Sequence, residues 1–188
     1  MWKYDNNCCT ILVILFLLGD IFMSNSLLTT NTISLQFYND QYDDQLKNYF
    51  LADEHLKFTG LPIDNIEKCV IEADRHAILI LSNNDVAGFF VLHGWEGVRQ
   101  YSDNTNAILL RAYSVDTNFQ GKGIAKHSLN LLPSFVKANF PERNEIILGV
   151  NHKNTAAQHV YLKSGFIDSG KRVMGRKGEL FIMHMDLI

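Results

Sequence analysis

The sequence predicts a single domain of mixed α and β structure over residues 31–188, and three observations carry that expectation. From Ile33 onward, short apolar runs of strand character alternate with stretches of helical spacing, the order found in α/β and α+β domains. The 188 residues fill one hydrophobic core comfortably and two poorly. A content of 47% hydrophobic and 20% charged residues matches soluble globular proteins and excludes a disordered, fibrous or collagen-like chain.

Ile33 to Tyr38 reads as the first strand, and Gln41 to Leu51 as a helix with Tyr42, Leu46, Tyr49 and Phe50 near one face. Gly60, Leu61 and Pro62 mark a turn. Asp64 then caps a helix running to about His76, with Glu67 completing a capping-box-like pattern and Ile66, Val70 and Ala73 on its inner side. Ala77 to Leu81 and Val86 to Leu92 flank the polar Ser82–Asp85 turn as an antiparallel hairpin. Gly94 to Asn106 is expected as loop and Ala107 to Val115 as an apolar strand. Ile124, Leu131, Leu132, Phe135 and Val136 give the next helix its spacing, and Pro133 within it removes one hydrogen bond and is expected to bend it. Ile146 to Val150 is a strand, and Asn154 opens a further helix. Leu180 to Leu187 closes the chain as a strand after a hairpin turn at Arg176, Lys177 and Gly178, with Phe181, Met183, Met185 and Leu187 on one face.

Residues 1–30 have a different character, because Cys8 to Leu18 is an apolar run relieved only by Thr10. The run is shorter than the ~18 residues of a membrane-spanning helix and has the length of a signal-peptide core. Three readings stay open: an extension upstream of a natural start at Met23, a short anchor or leader, or a buried N-terminal element. A net charge of −3 and the lack of a Lys/Arg run argue against a nucleic-acid partner. Cys8, Cys9 and Cys69 build neither a disulfide framework nor a zinc spacing, and the seven histidines are scattered, so no metal is expected and a cytoplasmic location fits best.

The informative stretch is Gln120-Gly121-Lys122-Gly123-Ile124-Ala125, where a strand turns into a helix. Backbone N–H groups at a helix N-terminus are unpaired and carry the positive end of the peptide dipoles, which suits a phosphate or pyrophosphate. Glycine at 121 and 123 lets the ligand approach and accepts the positive φ of an anion-binding nest. A Walker loop is excluded because Ile124-Ala125 stands where its Lys-Ser/Thr pair belongs. The dinucleotide fingerprint lacks its third glycine, with Ser128 in that place when Gly123 is the first.

Val115-Asp116-Thr117-Asn118-Phe119-Gln120-Gly121-Lys122-Gly123-Ile124-Ala125 resembles the acyl-CoA signature of the GNAT N-acetyltransferases, Gln/Arg-x-x-Gly-x-Gly/Ala after a strand ending in valine. The second half of that pattern follows in order: the Ile146–Val150 strand, Asn154 opening a helix, Ala157, Tyr161 and Gly165-Phe166. The resemblance runs from about Ile33 to the C-terminus and is strongest between Ala107 and Phe166. It implies a GNAT-like α+β fold, with a mixed, mostly antiparallel central sheet flanked by helices, and acetyl transfer from acetyl-CoA to a primary amine. It also implies residue roles. The backbone of Tyr113, Ser114 and Val115 runs beside the pantetheine arm, and Gln120, Gly121, Lys122, Gly123, Ile124 and Ala125 hold the pyrophosphate by main-chain amides. Asn154 bonds or approaches the pantetheine, Tyr161 approaches the sulfur as the candidate general acid, and Lys122, Lys126 and Lys163 add charge near the phosphates. Read without the motif, Tyr161 is a core-packing residue on the helix face of Ala157 and Val160.

The Ala107–Val115 strand offers no carboxylate, so His93, Glu96, Asp103, His127 and a water chain all stay open as the proton acceptor. Between residues 31 and 80 there are nine Asp/Glu against four Lys/Arg, and between 120 and 180 ten Lys/Arg against four Asp/Glu. A basic second half suits CoA phosphates. An acidic first half is consistent with a cationic acceptor such as a polyamine, an aminoglycoside or a lysine side chain, and equally with ordinary solvated helix faces. The Tyr101–Asn104 loop and the strand around Arg111 resemble polyamine-type acetyltransferases. The expected partners are therefore a small-molecule or protein amine, with no nucleic acid and no membrane, and a homodimer is one possible assembly. A non-catalytic acyl-CoA sensor is the alternative, separated from the enzyme by turnover.

Overall fold

A computed structural model describes residues 32–188; the readings made for residues 1–30, Met23 as a start included, lie outside the described residues. Apolar runs that alternate or continue across both faces become strands: β1 Ile33–Phe37, β2 Arg75–Ser82, β3 Asp85–His93, β4 Ala107–Val115, β5 Glu145–Asn151, β6 Ile167–Gly175 and β7 Gly178–Asp186. They form one seven-stranded sheet in the order β1-β2-β3-β4-β5-β7-β6. Every neighbouring pair is antiparallel except β4 and β5, which run parallel over Ala107–Leu110 and Glu145–Leu148. This is the mixed, mostly antiparallel sheet expected from the sequence.

Two long helices cover one face: α5, Ile124–Asn139, and α6, Thr155–Lys163. Ile78, Ile80, Phe90, Leu92, Ile108, Leu110, Ile146 and Leu148 point to them and meet Leu129, Leu132, Val136 and Phe166. Phe181, Met183 and Met185 of the last strand, and Leu187 just after it, join this layer, as their alternation predicts. The opposite face takes Leu79, Leu81, Phe89 and Val91. It is covered by short helices at Asp43–Leu46 (α1) and Asp53–Leu56 (α2) and by Pro62–Ile71 (α3).

Several boundaries differ from the expectation. The single helix read over Gln41–Leu51 is a 3-10 turn followed by α1, and Phe50 is 53% exposed. The chain after Lys47 is drawn into an extended path because Phe50 N–H donates to Asp116 Oδ2 (2.9 Å) and Ala52 N–H to Thr117 Oγ1 (3.1 Å). Helix α3 begins at Pro62, a residue suited to a first helical position, so Asp64 sits in the first turn rather than at the cap. The helix ends at Ile71; Ile66 is buried, whereas Val70 is 83% exposed and Ala73 is also exposed. The Gly94–Asn106 stretch contains one helical turn, Trp95–Val98 (α4). Helix α5 continues through Pro133, with Leu131 turned outward. Strand β6 has an exposed, charged sequence without apolar alternation and forms the sheet edge, so periodicity did not mark it.

Candidate active site

The site is built where β4 and β5 part. Their ladder stops at Leu110 and Leu148. At the next step β4 carries a β-bulge: Phe89 faces Ser114 and Val91 faces Arg111, so Phe90 is opposite both Ala112 and Tyr113. Ala112 takes φ 52°, a left-handed value unusual for a residue with a Cβ. The extra residue bends β4. Beyond it the β5-facing edge of β4 has no strand partner, and a cleft of about 610 Å³ opens between the two strands.

At the far end of β4 the chain is tied down before the glycines begin. Buried Asp116 accepts from Asn118 N–H (2.7 Å) with one oxygen and from Phe50 N–H with the other. Gln120 Nε2 donates back to Val115 O (3.1 Å), and Lys122 Nζ donates to Asn118 O (2.9 Å) while lying over the Phe119 ring. Gly121 and Gly123 take φ 74° and 76°, and a Cβ built on Gly121 meets nothing within 4 Å. The first helical bond of α5 is His127 N–H to Gly123 O. The N–H groups from Gly121 to Lys126 therefore have no acceptor among the described residues and border a hollow lined by Val115, Gln120, Gly121, Gly123, Ile124 and Ala125. Lys126 and Lys163 are exposed.

The second half of the motif reaches the same cleft. Asn154 caps α6, its Oδ1 accepting from Ala157 N–H (3.1 Å), and its Nδ2 has no partner among the described residues at the cleft wall. Two turns on, Tyr161 packs edge-on to the Tyr113 and Phe166 rings, so the packing reading holds. The same side chain also lines the cleft, and its hydroxyl makes no hydrogen bond among the described residues. Burial pushes the Tyr161 and Tyr113 phenols well above their ordinary pKa, which keeps both protonated. The Tyr113 hydroxyl is engaged with Ser128 Oγ (2.7 Å), and Ser114 Oγ with the Tyr49 hydroxyl (2.9 Å), so these residues can offer the cleft their backbone.

The profile of the Acetyltransferase (GNAT) family matches residues 30–166. The chain belongs to this family. A Bacillus subtilis (strain 168) protein described as an uncharacterized N-acetyltransferase, YbbJ, is 41% identical over 156 residues, covering 82% of this chain and 98% of its own. Among solved structures, AAC(6')-Ib in complex with paromomycin and acetyl-CoA superposes with a TM-score of 0.68 at 14% identity, covering 83% of this chain and 94% of its own. Spermidine N-acetyltransferase from Vibrio cholerae, in complex with CoA and spermine, gives 0.62 at 15% identity, with 82% and 95% covered. These two likenesses establish the GNAT fold, and the family makes the chain an acetyltransferase.

Within this GNAT fold, Tyr113, Ser114, Val115, Gln120, Ala125, Asn154 and Tyr161 converge on the large cleft, while Gly121, Gly123 and Ile124 line the hollow at the loop. None of the four side chains considered as proton acceptor lies on the cleft wall. His127 Nδ1 donates to Gly123 O, and Glu96 pairs with Arg99. His93 is buried, with Nδ1 accepting from Arg75 Nε (3.3 Å) and Arg111 Nη1 (3.1 Å), and Nε2 facing Asp74 Oδ1 (3.1 Å). Burial holds its pKa below the ordinary value. Sequence reasoning did not place His55, Arg111, Arg176 and Lys177 on the wall. They come from three separate elements, α2, β4 and the β6–β7 turn, and only the fold brings them together.

Proposed function

We propose that residues 31–188 transfer the acetyl group of acetyl-CoA to the primary amine of an acceptor held in the β4–β5 cleft. Acetyl-CoA supplies a thioester whose acyl carbon passes to the amine nitrogen, releasing the CoA thiol. The reading rests on one observation above the others: a run of unpaired main-chain N–H groups, Gly121 to Lys126, at the mouth of a cleft whose β4 edge is also unpaired. The open space at the Gly121 Cβ position is the room a diphosphate needs, so the residues present fit the donor.

The loop amides hold the diphosphate, and the free edge of Tyr113–Val115 pairs with the pantetheine amides as an added strand pairs with a sheet edge. Asn154 Nδ2 is a second donor along that path. Tyr161 keeps its proton at Oη and gives it to the departing sulfur. The test is thiol release from acetyl-CoA over a panel of amines. Tyr161→Phe is expected to lower kcat about 10²-fold, the low end for loss of a positioned acid, with acetyl-CoA affinity by calorimetry nearly unchanged. Acetyl-CoA binding without thiol release for any amine favours the sensor reading instead.

A further inference from the structure

The sign of charge on the cleft wall is opposite to that of the first half of the chain. Among the described residues that line the cleft there is no Asp or Glu, while Arg111, Arg176, Lys177 and His55 are all present. The acidic residues counted between 31 and 80 lie elsewhere, and the nearest to Arg111 are committed: Glu72 pairs with Arg75 and with His93 Nε2, and Asp74 faces His93. Arg111 takes part in no ion pair among the described residues. Its one hydrogen bond, Nη1 to His93 Nδ1, leaves the remaining donors of the fork free. Arg176 makes neither a hydrogen bond nor an ion pair among the described residues and is exposed at the β6–β7 turn.

Arg111 lies on the sheet face away from the phosphate-loop helix, whereas His55 Nδ1 is 3.5 Å from Gln120 Nε2 of the loop. Arg111 is directly opposite Val91, whose side chain belongs to the layer beneath α1–α3, not to the α5–α6 face. It is also four strand residues, roughly 13 Å, before Val115, where the loop begins. The β6–β7 turn is held against α2 and the C-terminal end of β5 by Lys177 Nζ donating to Leu56 O (2.8 Å) and by Asn151 Nδ2 donating to Lys177 O (2.9 Å). Burial and repulsion from Arg75 and Arg176 lower the pKa of Arg111, and the opposing pull of Tyr101 and Glu72 does not cancel them.

Building on the acetyltransferase reading, we infer that the acceptor is an amine that also carries an anionic oxyacid group, a carboxylate or a phosphate, which Arg111 and Arg176 bind while the amine faces the thioester. A carboxylate or a phosphate offers the guanidinium fork two oxygens in bidentate contact, whereas a polycationic amine meets like charge on this wall.

The test uses the full chain and two readouts. Calorimetry without acetyl-CoA measures binding of a set of amino acids, the carboxamide of each, O-phosphoethanolamine, spermidine and kanamycin; thiol release with acetyl-CoA then ranks the same amines as acceptors. At least one free acid or phosphate is expected to bind about tenfold tighter than its uncharged counterpart and to be the better acceptor, since hydrogen bonds to a charged group are worth that much. Arg111→Gln and, on the exposed turn, Arg176→Gln are each expected to cut that preference about tenfold, with Arg111→Lys between them and wild type, while acetyl-CoA affinity of Arg176→Gln stays within about twofold. Tighter binding of spermidine or kanamycin, equal binding of acid and amide, or a preference untouched in both Gln variants overturns the inference and leaves acetyl transfer standing. Acid-over-amide binding that depends on both arginines, without thiol release, supports the anion site and counts against the acetyltransferase reading alone.

Discussion

Gly121→Ala separates what the phosphate loop does for the fold from what it does for the ligand. Gly121 holds φ 74°, and an added Cβ meets no atom within 4 Å, so the substitution costs backbone strain and nothing in packing. That strain is about 1 kcal/mol for a single residue in the left-handed region, which in a domain of this size lowers Tm by about 2–4 °C. Gly170, at the β6 bulge, has φ 76° and equally open surroundings, so Gly170→Ala carries the same strain at a place remote from the loop in sequence and strand order. The two variants are expected to melt alike. They are expected to differ in acetyl-CoA affinity: the Cβ at 121 stands in the space the diphosphate needs, and losing one or two hydrogen bonds to a charged group weakens binding about 10- to 100-fold. Calorimetry with acetyl-CoA and thermal melts of both variants check this. A Gly121→Ala protein that melts lower yet binds within about threefold of wild type refutes the placement of the diphosphate, and so does an equal loss in Gly170→Ala.

Three further outcomes follow from the same geometry. Phe166→Ala removes a fully buried ring from beneath Tyr161 and is expected to cost about 3–5 kcal/mol in denaturant titration, with kcat falling as Tyr161 loses its packing partner. Asn154→Ala removes the α6 cap and is expected to cost about 1 kcal/mol and to raise KM for acetyl-CoA more than it lowers kcat. The pKa values of His93 and His76 are lowered in the fold, chiefly by burial, so the unfolded chain takes up their protons first as pH falls. Their contribution is complete above the ordinary histidine pKa of about 6.5 and is lost as pH drops through the lower folded values, so Tm is expected to fall on acidification from about pH 7 to about pH 5, less steeply in His93→Gln.

Local chemistry was readable and tertiary chemistry was not. The segment Gln120–Ala125 announces itself because glycine pairs at a strand-to-helix junction answer a backbone requirement within a few residues, and Asn154 does so because a cap acts three residues away. Strands β2 to β5 and β7 were legible from their apolar runs. The α1–α2 stretch was not, since the bonds that shape it come from Asp116 and Thr117 across the sheet. Nor was the cleft itself, because no glycine, asparagine or proline marks the bulge: an alanine holds the left-handed position. The acidic tally of the first half does not say which of its charges face the cleft, and none of them lines it among the described residues.

That bulge determines which side chains each half of β4 presents. Up to Leu110 the strand alternates regularly, Leu110 facing the α5–α6 layer and Arg111 the other side. Regular alternation would next turn Ala112 toward α5 and Tyr113 away from it. The extra residue shifts the parity: Ala112 packs with the α1–α3 layer, Tyr113 and Val115 pack with the α5–α6 layer, and Ser114 meets Tyr49. Tyr113 thereby reaches Ser128 near the start of α5 and braces the helix whose first N–H groups are free. Arg111, one residue before the bulge, keeps the regular alternation and so stays on the far side from that helix. A single inserted residue thus ends the β4–β5 ladder, opens the cleft and turns Tyr113 toward α5.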